Sequence, residues 1–305
     1  MDMQIRYGVI GTGALGGFYG GMLAKAGREV HFLLRGDYEY VRKDGLRIDS
    51  VRGDFLLPAV NAYADARAMP QCDVILVCLK TTENGGLPDL LRPLLRPGSV
   101  ALLIQNGLGM EEDLSTRLVE AEIAGGMAFI CSRKKGPGHI QHLDYGKLDI
   151  SSYNVKNSVL LDQAVNDFRE AGVPTDLLDD LQFARWRKLV WNVPFNGLTV
   201  VMNTTTDRLV ANDSALRLVR DIMLEVIRGA NRCGVGLKES LAQKMIDMTR
   251  EMIPYEPSMK LDYNNHRPME IEYIYSRPVE TAARAGFDMP KVAMLENQLR
   301  FAEEA

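Results

Sequence analysis

Apolar residues in the first half of the chain fall into short runs separated by helix-spaced patterns. The runs Ile5 to Ile10, Val30 to Leu34, Val74 to Leu79, Val100 to Ile104 and Glu122 to Ile130 are rich in β-formers. Their alternation with helical stretches predicts a doubly wound, mainly parallel sheet in an α/β domain. Leu15, Phe18, Tyr19, Met22, Leu23 and Ala26 recur at helical spacing after the first run and form one stripe, which Gly27 ends. Gly138 to Ile150 alternates loosely, as a hairpin does, and Val159, Leu160, Ala164, Val165 and Phe168 mark a helix stopped by Gly172 and Pro174.

Strand-type alternation stops near residue 178. Ala215, Leu218, Val219, Ile222, Met223, Val226 and Ala230 then mark a long amphipathic helix from Asp213, and Leu241 to Met252 carries another, ended by Pro254 and Pro257. Ile271, Ile274 and Tyr275 begin a helix that Pro278 must kink or restart. The expectation is two domains, 1–178 α/β and 179–305 all-helical, which is also what 305 residues suggest.

Charge excludes some partners. With 36 basic and 40 acidic side chains and a net charge of -4, no positive field draws in nucleic acid or anionic lipid. The run Arg133-Lys134-Lys135 reads as a solvated loop flanked by Gly136 and Gly138, or as a small contribution to holding a phosphate. Cys72, Cys78, Cys131 and Cys233 have no CxxC spacing, so neither a disulfide framework nor a zinc cluster is expected, and a reducing cytoplasm fits. The longest apolar runs are too short to cross a bilayer, and the chain opens on a strand pattern instead of a signal peptide. The 15 methionines read as core filler and not as metal ligands.

Directly after the first run stands Gly11-Thr12-Gly13-Ala14-Leu15-Gly16. A GxGxxG turn between a strand and a helix is the dinucleotide fingerprint of a Rossmann domain: Gly11 for the tight turn, Gly13 for close approach of the pyrophosphate, Gly16 for helix-on-strand packing. The second run leads into Arg35, where an NAD enzyme places a carboxylate. A guanidinium suits a 2′-phosphate, so NADPH/NADP is favoured, while Asp37 keeps NAD as an alternative. Two later runs end in Lys80 and in Gln105-Asn106, which places Lys80 and Asn106 at the carboxyl ends of the strands, where ligands bind.

In the second half Lys188, Asn192 and Asn196 repeat every four residues and share one helical face as far as Pro194 permits. Amides on an apolar segment either cap a helix end or bind something. Trp186-Arg187-Lys188-Leu189 with Asn192 and Asn196, then Ser258-Met259, then Glu270-Ile271-Glu272-Tyr273, follow the order of motifs in the ketopantoate reductase family, which the whole chain resembles. That resemblance implies NADPH-dependent reduction of a small 2-oxo acid, with Lys188 as general acid and Glu270 as its partner. It makes Asn192, Asn196 and Ser258 substrate groups, and Gly11 to Gly16, Arg35, Lys80 and Asn106 cofactor contacts, with Asn106 touching substrate as well. Gly197 and Gln105 depart from the family pattern, which bears on the identity of the substrate more than on the reaction.

The chemistry agrees with those roles. Hydride addition to a ketone builds negative charge on oxygen, and an ammonium whose ordinary pKa is about 10.4 is protonated at neutral pH and can supply the proton. His31, His139, His142 and His266 lack the spacing of a catalytic dyad, so a histidine-driven dehydrogenase is disfavoured; the latter pair, His139 and His142, reads as lying in a glycine-rich loop. The alternatives are a paralogue acting on another branched 2-oxo acid and a nonenzymatic NADPH sensor. The sequence leaves a homodimer open.

Overall fold

The computed structural model describes residues 4–304. The chain divides into two compact units: one ends at Gln105 and resumes from Met110 to Leu181, and the other comprises Asn106–Gly109 and the chain from Gln182 onward.

The first unit is built on a ten-stranded sheet. Its strands are β1 (Arg6–Ile10), β2 (Glu29–Leu33), β3 (Leu46–Ser50), β4 (Phe55–Leu57), β5 (Asn61–Tyr63), β6 (Val74–Val77), β7 (Val100–Leu103), β8 (Glu122–Gly136), β9 (His139–Ser152) and β10 (Thr175–Leu178). They lie in the order β4-β3-β9-β8-β7-β6-β1-β2-β5, with β10 also paired to β9. β1 runs parallel to both β2 and β6, so the exits of these three strands share one edge. β6 and β7 are buried at every position, which is why they read as unbroken apolar runs and not as alternating ones.

Helices α1 (Ala14–Lys25), α2 (Tyr38–Asp44), α3 (Leu87–Leu91), α4 (Met110–Arg117) and α5 (Ser158–Glu170) complete this unit. α1 lies close on the sheet because glycine faces it: a Cβ on Gly20 would stand 2.6 Å from the Phe32 ring. α5 is pinned to β1 by the buried Tyr7 hydroxyl, which donates to Asp167 Oδ2 at 2.6 Å.

Several local expectations change. The basic run Arg133-Lys134-Lys135 is not a loop but the end of β8, and His139 and His142 lie in β9. The hairpin pattern seen from Gly138 is the second arm of a β8–β9 ladder that begins at Ala124. Strands β3, β4 and β5 are not among the runs expected from sequence.

The second unit is helical: α6 (Leu181–Val201), α7 (Thr206–Ala211), α8 (Asp213–Arg232), α9 (Ser240–Glu251), α10 (Ser258–Asn264), α11 (Arg277–Arg284) and α12 (Pro290–Glu304). The Asn212 side chain caps α8 by accepting from the N–H groups of Ser214 and Ala215. Its core gathers Trp186, Leu189, Val193 and Phe195 of α6 with Val219, Met223 and Val226 of α8 and Leu295 and Leu299 of α12.

Pro194 does not interrupt α6, which runs through it for 21 residues. Burial on an apolar helix outweighs the single lost backbone bond. Pro278 does stand at a restart: α-helix resumes as α11 with Pro278 in its first turn, directly after a π-helical turn, Glu272–Ser276. That wider turn relieves the clash between a proline ring and the carbonyl four residues back.

Candidate active site

The glycine turn after β1 is shaped for a ligand. Gly11 has φ +88°, and a Cβ there would lie 2.6 Å from the Leu79 amide nitrogen and 2.7 Å from the Cys78 carbonyl carbon. Gly16 is packed so tightly that a Cβ would run into the Gly11 carbonyl oxygen. Gly13 differs: no heavy atom lies within 4 Å of where its Cβ would be, so that face is open. Thr12 donates from Oγ1 to the Leu33 carbonyl at 2.9 Å and ties the turn to the exit of β2. Gly13 caps α1 without a side-chain hydrogen bond, leaving first-turn N–H groups for an anion, with Ala14 and Leu15 as the first helical residues. Space on one face and amides at a helix N-terminus fit the pyrophosphate of a dinucleotide.

Arg35, two residues past β2, is exposed, and its Nη2 donates to Glu83 Oε2 at 2.9 Å. Asp37, the acid that kept NAD in play, is buried; it accepts from Lys134 Nζ at 2.6 Å and from the Gly138 N–H at 3.0 Å. Its carboxylate therefore serves the tip of the β8–β9 hairpin, and Arg35 is the side chain offered at the end of β2. Lys80 follows β6 and opens a 3₁₀ turn, Thr81–Gly86. Gln105, just past β7, donates to the Leu79 carbonyl at 2.9 Å and to Asn84 Oδ1 at 2.8 Å, which fixes the exits of β6 and β7 relative to each other.

In the helical unit, Lys188, Asn192 and Asn196 lie one turn apart on uninterrupted helix, hence on one face, and all three are buried. Ser258 is half-buried at the start of α10, and Glu270 is 3% exposed two residues before the π-helical turn. π-helical turns inside helices are rare and concentrate at functional sites. Amides, an ammonium and a carboxylate buried in one unit are costly unless they bind something.

Three features here were not anticipated from sequence. Asn106–Gly109 belongs to the helical unit, although it follows directly on β7. The Leu108 N–H donates to the Tyr273 carbonyl at 2.9 Å, which brings Asn106 to the segment that begins at Glu270. Gly107 makes this approach with φ +114°, and a Cβ there would stand 2.5 Å from the Tyr273 oxygen. The Gly107-Leu108-Gly109 pattern was the available signal. The third is Lys260, whose buried ammonium donates to Asn203 Oδ1 at 2.5 Å and ties the helix carrying Ser258 to the end of α6. Burial pushes the Lys260 pKa down from its ordinary value.

Gly107→Ala is expected to raise the KM for any substrate bound beside Asn106 severalfold or more. The substitution combines a left-handed backbone, costing about 1–2 kcal/mol, with a backbone collision. Steady-state kinetics with a thermal-unfolding control checks this, and an unchanged KM would mean that the loop position is irrelevant to substrate.

Residues 7–154 match the family described as Ketopantoate reductase PanE/ApbA, and residues 180–303 match its C-terminal counterpart. A 2-dehydropantoate 2-reductase from a Nostoc species is 46% identical over 97% of this chain and 94% of its own length. The crystal structure of 2-dehydropantoate 2-reductase from Geobacter metallireducens superposes with a TM-score of 0.94 at 42% identity, covering 98% of this chain and all of that one. A ternary complex of D-mandelate dehydrogenase with NADH and anilino(oxo)acetate shares the fold, with a TM-score of 0.90 at 20% identity and 98% of this chain covered.

Proposed function

The chain belongs to the ketopantoate reductase family, and we propose that it reduces 2-dehydropantoate to pantoate with NADPH, a step of pantothenate and coenzyme A synthesis. The observation that carries this reading is the buried face of α6, where one ammonium, Lys188, is followed at single-turn intervals by two neutral amides, Asn192 and Asn196. A cation beside neutral hydrogen-bond donors suits a ketone next to a carboxylate.

When bound, the nicotinamide supplies the hydride. In the α/β unit the turn Gly11 to Gly16 takes the pyrophosphate, Arg35 the 2′-phosphate and Lys80 part of the remainder, which Asn106 of the helical unit also contacts. The helical unit binds the 2-oxo acid through Asn106, Asn192, Asn196 and Ser258. Lys188 donates its proton to the carbonyl oxygen as negative charge develops there, and Glu270 orients that ammonium and accepts a hydrogen bond from the product hydroxyl.

A cytoplasmic location goes with this reading. Burial raises the pKa of Cys72 and Cys131 to about 12, which keeps both thiols inert. No helix among the described residues is long and apolar enough to cross a membrane.

The test is NADPH oxidation with 2-dehydropantoate in a panel of branched and aromatic 2-oxo acids. The highest kcat/KM is expected for 2-dehydropantoate; faster turnover of another acid would make the chain a paralogue, and none with any acid would favour a sensor. Arg35→Ala is expected to weaken NADPH binding about 10- to 100-fold, the loss of a charge-assisted contact to phosphate, and to leave NADH binding nearly unchanged. Equal losses for the two cofactors would remove the 2′-phosphate assignment.

A further inference from the structure

We propose that Glu83 is a competing anion built into the nucleotide site, holding Arg35 until a 2′-phosphate displaces it and thereby setting how strongly the site prefers a phosphorylated ribose. The proposal rests on the NADPH reading and concerns a residue outside the fingerprint.

The argument begins with strand order. β1 lies between β2 and β6, all parallel, so the exits of β2 and β6 flank the exit of β1 and its glycine turn. Arg35 stands just past β2, and Glu83 stands in the 3₁₀ turn past β6, its N–H held by the Lys80 carbonyl at 3.0 Å. Strands one place removed from neighbours are about 10 Å apart, yet the Arg35 and Glu83 side chains meet at 2.9 Å. The pair thus reaches from both sides toward the edge where the dinucleotide must lie.

The nearer acid, Asp37, is already occupied by Lys134 and Gly138, so Arg35 takes its counter-ion from across the turn. The Arg35 and Glu83 side chains are 69% and 45% exposed, and exposed ion pairs of this kind open readily. A phosphate carries roughly -1.5 to -2 charge near neutrality and offers a guanidinium two oxygens in the geometry of its fork. It displaces a single carboxylate, which then remains as a nearby like charge opposing the phosphate.

Fluorescence titration of the full-length protein with NADPH and with NADH reads the proposal without turnover. Glu83→Gln is expected to tighten NADPH binding about three- to tenfold at low ionic strength, the scale of removing one partly screened like charge. NADH affinity should stay within about twofold, and the gain should shrink as salt is added. An unchanged or reduced ratio of NADPH to NADH affinity in Glu83→Gln would overturn the role of Glu83. Arg35→Ala separates the two levels. If the wild type prefers NADPH and Arg35→Ala loses that preference while Glu83→Gln leaves it as it was, Glu83 alone is dismissed. If the wild type has no preference and Arg35→Ala binds both cofactors as the wild type does, the 2′-phosphate assignment fails and Glu83 falls with it.

Discussion

Replacing Lys188 by alanine is expected to lower kcat by about 10²- to 10⁴-fold, the usual contribution of a positioned general acid, while NADPH binds as before. Lys188 lies near the middle of α6 and is 8% exposed, so the ammonium has little water to replace it when it is removed. Alanine is the best helix former, and Trp186, Leu189 and Val193 around it belong to the apolar core. A thermal-unfolding control separates any loss of stability, and single-turnover reduction with a saturating keto acid isolates the chemical step. Near-normal turnover would dismiss Lys188 as the acid. A parallel loss of NADPH binding would instead make it a cofactor contact.

The parts of this fold that were legible in the sequence are those set by neighbouring residues. β1, the glycine turn and α1 form one continuous stretch in which apolar spacing, Gly11, Gly13 and Gly16 all state the same element boundaries. The Lys188, Asn192 and Asn196 spacing was readable for the same reason, and only Pro194 obscured the length of the helix beneath it. What stayed hidden is fixed by distant partners. β3 exists because Arg47 to Ser50 pair with His139 to His142, and β4 because Phe55 to Leu57 fold back on β3; both are partly exposed and lack the unbroken buried apolar run that announces β6 and β7. The basic run at 133–135 looked like a loop because flanking glycines outweighed its pairing with β9. Asn106 follows the end of β7, as its position in the sequence implies, but its place in the helical unit goes with contacts of Gly107 and Leu108 to Tyr273, whose partner is remote in sequence even though the paired glycines mark an unusual turn. Ionic partners such as Glu83 for Arg35 are equally remote in sequence.

The second large effect separates two glycines of one turn. Gly11→Ala is expected to cost both stability and cofactor affinity. At φ +88° an alanine pays about 1–2 kcal/mol for left-handed backbone, and its Cβ meets the backbone of Cys78 and Leu79 at 2.6–2.7 Å. Those atoms follow β6 directly and cannot rotate away as a side chain would, so the turn itself must move. Losing its amides to a pyrophosphate would lower NADPH affinity roughly 10²-fold or more, since each 1.4 kcal/mol is a factor of ten. Gly13→Ala should behave differently. Its φ is -93° and its Cβ would meet no protein atom within 4 Å, so the thermal midpoint should hold while NADPH binding falls by a similar factor, because the methyl fills only the space left for ligand. Thermal unfolding and fluorescence titration on the two variants test the pair. A Gly13→Ala protein that bound NADPH as the wild type does would mean that no pyrophosphate lies on that face, and Arg35 would lose its phosphate along with the turn.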